Sequence, residues 1–349
     1  MSSQQILYLT APDEDYLADS LLHGLRSLIG SQVVDYPRCV FLDDDLPADI
    51  RTRMHGKGFT LYGTRPKREG DAIDRTHVWQ RVRSGEFSKV VFSAVWRQWG
   101  LLLQHRHILE PKNTVLIDGE DSPNLFPYST SLLRRPETLS LLRVHRRFTY
   151  FKRELCPQSV RSSWFNAIPE RIAASFAMPP TVHPISFAIP EEWIAGEVPH
   201  KRRLFFPHCV DSDTAAAIPE ATTTPPFSRE RDYHQALAES CFAVTTKRAG
   251  WDCLRHYEIA AHGCVPCFRG LGRKAATCAP HGLTEANCLE YSSPSELMEK
   301  TASMSDAAYT SLAEGALRWA RQNSTRARAA EFLSLIDGQI DEYDSPASR

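Results

Sequence analysis

No stretch of this chain approaches the roughly 18 consecutive apolar residues that a membrane-spanning helix needs. A span is therefore not expected. Net charge is nearly absent as well, with 41 Lys and Arg against 42 Asp and Glu. Global attraction to nucleic acid or anionic lipid is excluded, and only a local patch can supply it. The start of the sequence lacks a basic region, and its first apolar run, 6–10, is too short for a signal peptide. Nor is a disulfide framework indicated. Nine cysteines is an odd count in 349 residues, and several lie in apolar runs such as Cys241-Phe242-Ala243-Val244. Reduced thiols in a cytoplasmic protein are the expectation. With 42% hydrophobic and 24% charged residues, the composition excludes a disordered or collagenous chain.

What is present is alternation. Short β-branched or apolar runs at 6–10, 33–36, 59–62, 89–93 and 114–118 read as strands. Helical periodicity occupies 16–29, where Leu17, Leu21, Leu22, Leu25 and Leu28 share a face, and helices are also expected at about 71–84 and 95–108. Five prolines between 178 and 199 mark an irregular crossover. After it, 203–206 reads as a strand, 211–227 as an exposed loop and 229–239 as a helix. A strand at 241–245, a helix at 251–262 and a strand at 264–268 complete a second β-α-β array. Helical segments near 294–303, 305–322 and 325–339 close the chain. The expected fold is α/β, with two Rossmann-like domains facing a cleft and helices at the C-terminus. Its expected divisions are 1–185, 186–325 and a terminal helix and tail, 326–349.

Chemistry concentrates in 245–268. A buried strand ends at Thr245 and Thr246, two cations follow at Lys247 and Arg248, Gly250 relaxes the loop, and a helix is expected to start near Asp252. Free amides and the positive dipole end of a helix suit a phosphate, and the cations add full charge. Arg255 and Glu258 lie three apart and share a helical face. They suit either a phosphate and a sugar diol or a solvated helix pair worth a few tenths of a kcal/mol.

This segment resembles the donor-binding region of GT-B glycosyltransferases, and most of all the exostosin-type and spore-maturation-type branches. Their signature, Arg-x-x-Glu-x-x-x-x-Gly-Cys-x-Pro, is met by Arg255, Glu258, Gly263, Cys264 and Pro266. The resemblance covers about 25 residues. It implies transfer of a sugar from a nucleoside-diphosphate donor, used as a co-substrate with no other cofactor and no metal. It assigns Glu258 to the ribose, and Lys247, Arg248 and Arg255 to the phosphates. Retaining members often carry a second Glu eight residues before the first; that position is Gly250 here. The acceptor is open between a glycan, a small molecule and a nucleic acid.

An inverting transferase needs a base on its acceptor half. Asp118, Glu120 and Asp121 crowd the end of the 114–118 strand. They suit a base raised in pKa by like-charged neighbours, a Mg²⁺ site, or a turn with solvated acids and a helix cap. Asp118, nearest the strand, is the preferred base. The acids at 13–15 suggest a helix cap, 43–45 a solvated loop, and Gly56-Lys57-Gly58 a turn. A basic belt at 134–161, with Arg134, Arg135, Arg143, Arg146, Arg147, Lys152, Arg153 and Arg161 among Phe148, Tyr150 and Phe151, reads as a helix with a charged face followed by a strand. The same belt supports an alternative: a nucleic-acid-binding or base-modifying protein. A non-catalytic nucleotide-sugar-binding module is a further alternative. Cys264 and Cys267 invite a zinc reading, but three residues apart on a strand they point to opposite faces.

Overall fold

The structure is a computed structural model that describes residues 5–128, 135–173 and 175–343. The chain divides into two units, Met1–Ser186 with Arg328–Arg349, and Phe187–Ala327.

The first unit is built on six parallel strands: β1 (Gln5–Leu9), β2 (Val33–Tyr36), β3 (Phe87–Phe92), β4 (Thr114–Asp118), β5 (Thr149–Lys152) and β6 (Val182–Pro184). Their order is β2-β1-β3-β4-β5-β6. The nearly continuous apolar character of β1, β3 and β4 is what a sheet covered on both faces requires. Leu7, Leu9, Val90, Phe92, Leu116 and Tyr150 meet Val95, Leu102 and Phe126 in one core. Asp15 caps the helix Tyr16–Ile29 by accepting a hydrogen bond from the Ala18 amide.

Four expectations in this unit need correction. Residues 59–62 form a turn, not a strand, because Gly56, Lys57, Gly58, Thr60 and Gly63 all take positive φ. Leu61 and Tyr62 are buried all the same, and the Tyr62 hydroxyl donates to Asp19. The helix expected at 71–84 is shortened to Val78–Arg83, preceded by a separate turn of helix Lys67–Asp71. Between them Asp74 accepts bonds from both the amide and the hydroxyl of Thr76, a local turn that competes with helix. The basic belt forms no long helix: a 3₁₀ turn Pro136–Leu141 and a short helix Val144–Arg147 are separated by Arg143 at φ 65°. Arg134 lies outside the described residues. Finally, the proline-rich crossover contains β6, which pairs with β5.

The second unit carries β7 (Arg203–Phe205), β8 (Ser240–Thr246), β9 (Val265–Arg269) and β10 (Leu289–Tyr291), all parallel in the order β10-β9-β8-β7. Phe242, Val244, Val265, Cys267 and Leu289 pack with Leu297 and Ala313. The helices Leu254–Ala261 and Asp306–Gln322 meet through Ala260, Ala261, Ala316 and Ala320, with Tyr257 stacked on Trp319 at 4.8 Å. A side chain at Gly315 would reach within 1.9 Å of the Ala286 carbonyl, so only glycine permits this approach. The segment 211–227 is not all loop. Asp211 caps a helix, Ser212–Ala217, by accepting from the Thr214 amide. The long helix Thr325–Tyr343 runs from the second unit into the first, where Phe332 packs on Phe151 at 4.9 Å.

Candidate functional site

In parallel α/β sheets, the loops beyond the carboxyl ends of the strands hold ligands. In the second unit these ends deliver His208 after β7, Lys247 and Arg248 after β8, and Arg269 as the last residue of β9. Arg269 is committed to the carboxylate of Asp211 at 2.7 Å. Among the described residues, Lys247, Arg248 and Arg255 pair with no carboxylate. Lys247 instead lies 5.3 Å from the centre of the Trp251 ring, and the Arg248 amide closes a tight turn on the Gly250 carbonyl. Gly250 is buried beneath these exposed cations.

The helix begins at Leu254, two residues later than expected, after the N-cap Cys253, whose side chain offers no capping oxygen. Asp252 stays outside it, its carboxylate accepting from the Phe187 amide at 2.8 Å and the Tyr257 hydroxyl at 2.9 Å. Behind the loop, His256 bridges the Thr245 hydroxyl at 2.8 Å and the Trp251 carbonyl at 2.9 Å, tying helix, strand and turn together.

Arg255 and Glu258 do not pair with each other. Arg255 Nη1 donates to His208 Nδ1 at 2.8 Å. Because a guanidinium cannot accept, His208 Nδ1 is the acceptor, and its Nε2–H faces the Thr223 carbonyl at 3.3 Å. Burial and the neighbouring Arg255 lower the His208 pKa to about 4, so the ring is neutral and orients the cation without adding charge. The carboxylate of Glu258 accepts from the Tyr233 hydroxyl at 2.5 Å. Phe206 and Phe227 pack around Tyr233 at 5.7 and 5.6 Å. A solvated helix pair would show Arg255 and Glu258 joined on the surface; here each is held by a separate buried partner.

The remainder of the 263–266 signature is structural. Gly263 has φ 57°, and a Cβ there would crowd Pro199 Cδ at 3.1 Å. Cys264 and Cys267 are fully buried in the core. All nine cysteines are free, and among the described residues no three His, Cys, Asp or Glu side chains cluster as a metal site would.

Sequence reasoning missed His208 and Tyr233. One signal was readable: a histidine just past the apolar run 204–206, at a strand's carboxyl end. Tyr233 carried none, since helical periodicity marks it as core.

In the first unit, Asp118 is fully buried and saturated. Its Oδ1 receives Lys152 Nζ at 3.0 Å and the Glu120 amide at 3.2 Å; its Oδ2 receives the Phe126 amide at 3.1 Å and the Tyr150 hydroxyl. With four donors and no solvent, it has no lone pair for an acceptor hydroxyl, so the preference for Asp118 as base is corrected. Asp121 is exposed and paired with Arg153. The Glu120 side chain is half-buried, and among the described residues nothing donates to it. Burial, with Asp118 and Asp121 acting in the same direction, raises its pKa above the ordinary glutamate range. Asp43 pairs with Arg38 and Asp45 with Lys67. The nucleic-acid reading loses its stacking rings and two of its cations. Phe148, Tyr150 and Phe151 are core residues and cannot stack bases, while Lys152 and Arg153 are buried in ion pairs.

No known family profile matches the sequence, and no curated protein does. Solved structures share the fold. HepE (Alr3699) of Anabaena in complex with UDP superposes with a TM-score of 0.55 at 12% identity, covering 96% of this chain and 100% of that one. The same protein with UDP-glucose gives 0.53 at 11%, covering 97% and 99%. These neighbours have the GT-B fold, and at such identities the likeness establishes fold. The chain is an α/β protein with two Rossmann-like domains, as the alternation of strands and helices predicts, and of GT-B type, as the resemblance at 245–268 implies. Among the described residues, no helix is long and apolar enough to cross a membrane.

Proposed function

We propose that the chain is a metal-independent glycosyltransferase that moves a sugar from a nucleoside-diphosphate donor to an acceptor. One observation carries the reading. Arg255 and Glu258 share a helical face, ignore each other, and are each oriented by a buried partner beside two further cations that pair with no carboxylate among the described residues. A diphosphate needs several cations held ready, and a ribose diol needs an acceptor carboxylate. Lys247, Arg248 and Arg255 then neutralise the departing diphosphate, and Glu258 takes the ribose hydroxyls. HepE is seen in complex with UDP and with UDP-glucose, which makes a uridine diphosphate sugar the first donor to try. Within GT-B enzymes, the Arg255-to-Pro266 pattern favours the exostosin-type and spore-maturation-type branches.

Glu120 takes the role of base. It must be ionised to accept a proton, and its pKa is raised, so the rate is expected to rise with pH through that elevated value and level off above it. Glu120→Gln should lower kcat by about 10² or more and abolish this limb, while donor KM stays within about twofold. A pH profile of donor consumption for both proteins checks this; an unchanged limb in the variant removes Glu120 from the reaction.

The reading is tested by incubating the protein with radiolabelled nucleotide sugars with and without EDTA. Release or transfer of the sugar, unaffected by the chelator, is expected. Loss of turnover in EDTA contradicts metal independence. Binding without any turnover makes the chain a sugar-nucleotide-binding module.

A further inference from the structure

Large apolar side chains left in water need a reason when they cluster. Four of the seven such residues exposed among the described ones fall between 164 and 176: Trp164 at 48%, Phe165 at 58%, Ile172 at 42% and Phe176 at 47%. The rings of Trp164 and Phe176 stack at 6.3 Å. With Arg146, Val160, Ala177 and Met178 they line a cavity of about 110 Å³. Phe165 lies edge-on against Tyr128 at 5.3 Å.

Charge around them is mostly positive. Arg143, Arg146, Arg147 and Arg171 are all exposed, and among the described residues none forms an ion pair. From 135 to 180 the acids are Glu137, which is exposed, Glu154, which is buried, and Glu170.

We propose that this patch docks the first unit on the surface of an anionic lipid bilayer, with the apolar residues entering the headgroup boundary and the arginines pairing with lipid phosphates. Indole and phenyl rings favour that boundary, and each arginine near an anionic surface strengthens binding about fivefold. A second copy of the chain is a poor occupant: a two-fold contact through this face sets the arginines of both copies together. Nucleic acid is also a poor one, since aliphatic Ile172, at the centre of the patch sequence, has nothing to offer a base. Attachment is peripheral and does not depend on the donor assignment made above.

Flotation with vesicles tests this. The intact protein should float with vesicles of equal parts phosphatidylglycerol and phosphatidylcholine, and stay in solution with phosphatidylcholine alone. Trp164→Ala/Phe176→Ala and, separately, Arg146→Glu/Arg171→Glu should each lower the bound fraction at least tenfold, with unchanged circular dichroism. No flotation with the anionic vesicles, or flotation unaffected by both variants, overturns the proposal. So does retention of a single-stranded RNA oligonucleotide at a salt concentration where vesicles are not bound, or a concentration-dependent dimer abolished by the Trp164 and Phe176 changes.

Discussion

Glu258→Ala is expected to weaken binding of a nucleoside diphosphate or its sugar conjugate by about 30-fold, or about 2 kcal/mol, the usual worth of hydrogen bonds to a charged group. The loss should fall on donor affinity, because the proposed partner of this carboxylate is the ribose and not the departing phosphates. Removing it also strips the buried Tyr233 hydroxyl of its acceptor. A lowered Tm is therefore expected alongside, and a second variant separates the effects. Glu258→Gln keeps an acceptor oxygen for Tyr233 and should restore Tm while recovering only part of the affinity. Calorimetric titration of the three proteins measures this. Equal affinity in all three removes Glu258 from the ribose.

The second large effect concerns the acid that looked catalytic. Lys152 and Asp118 are both fully buried, 3.0 Å apart, on neighbouring parallel strands. Removing one charge leaves the other uncompensated in the interior, so Lys152→Met should destabilise the first unit by about 3–5 kcal/mol. The double variant Lys152→Met/Asp118→Asn should lose much less, since no buried charge is then left unpaired. Urea denaturation gives both numbers. A loss under about 1 kcal/mol in the single variant would show that water reaches Asp118 and would reopen its candidacy as base.

The pair also shows where sequence reading stops. Strands β1, β3, β4, β8 and β9 were legible because parallel strands covered on both faces must be continuously apolar, and the 16–29 helix because one face must be. Residues 59–62 have the same composition as a strand, yet a chain of left-handed turn residues around them prevents extension. Arginine and aromatic alternation at 143–153 looks like a stacking surface until β5 turns Tyr150 and Phe151 inward. In the candidate site, Arg255 and Glu258 stand out in the sequence by spacing and resemblance. Their partners His208 and Tyr233 are 47 and 25 residues distant in sequence, and only folding brings them together. Ionised carboxylates at a strand end look alike in sequence; which is saturated and which is left open depends on side chains from β5.

The proposed transfer requires a diphosphate held by Lys247, Arg248 and Arg255. Calorimetric titration of the wild-type protein with a panel of nucleoside diphosphates and nucleotide sugars, repeated with Arg255→Ala, tests it most directly. Saturable binding of at least one nucleoside diphosphate at one site per chain, weakened at least tenfold in Arg255→Ala and weaker for the matching nucleoside alone, is predicted. Absence of binding by every nucleoside diphosphate, or equal affinity for the bare nucleoside, would contradict it.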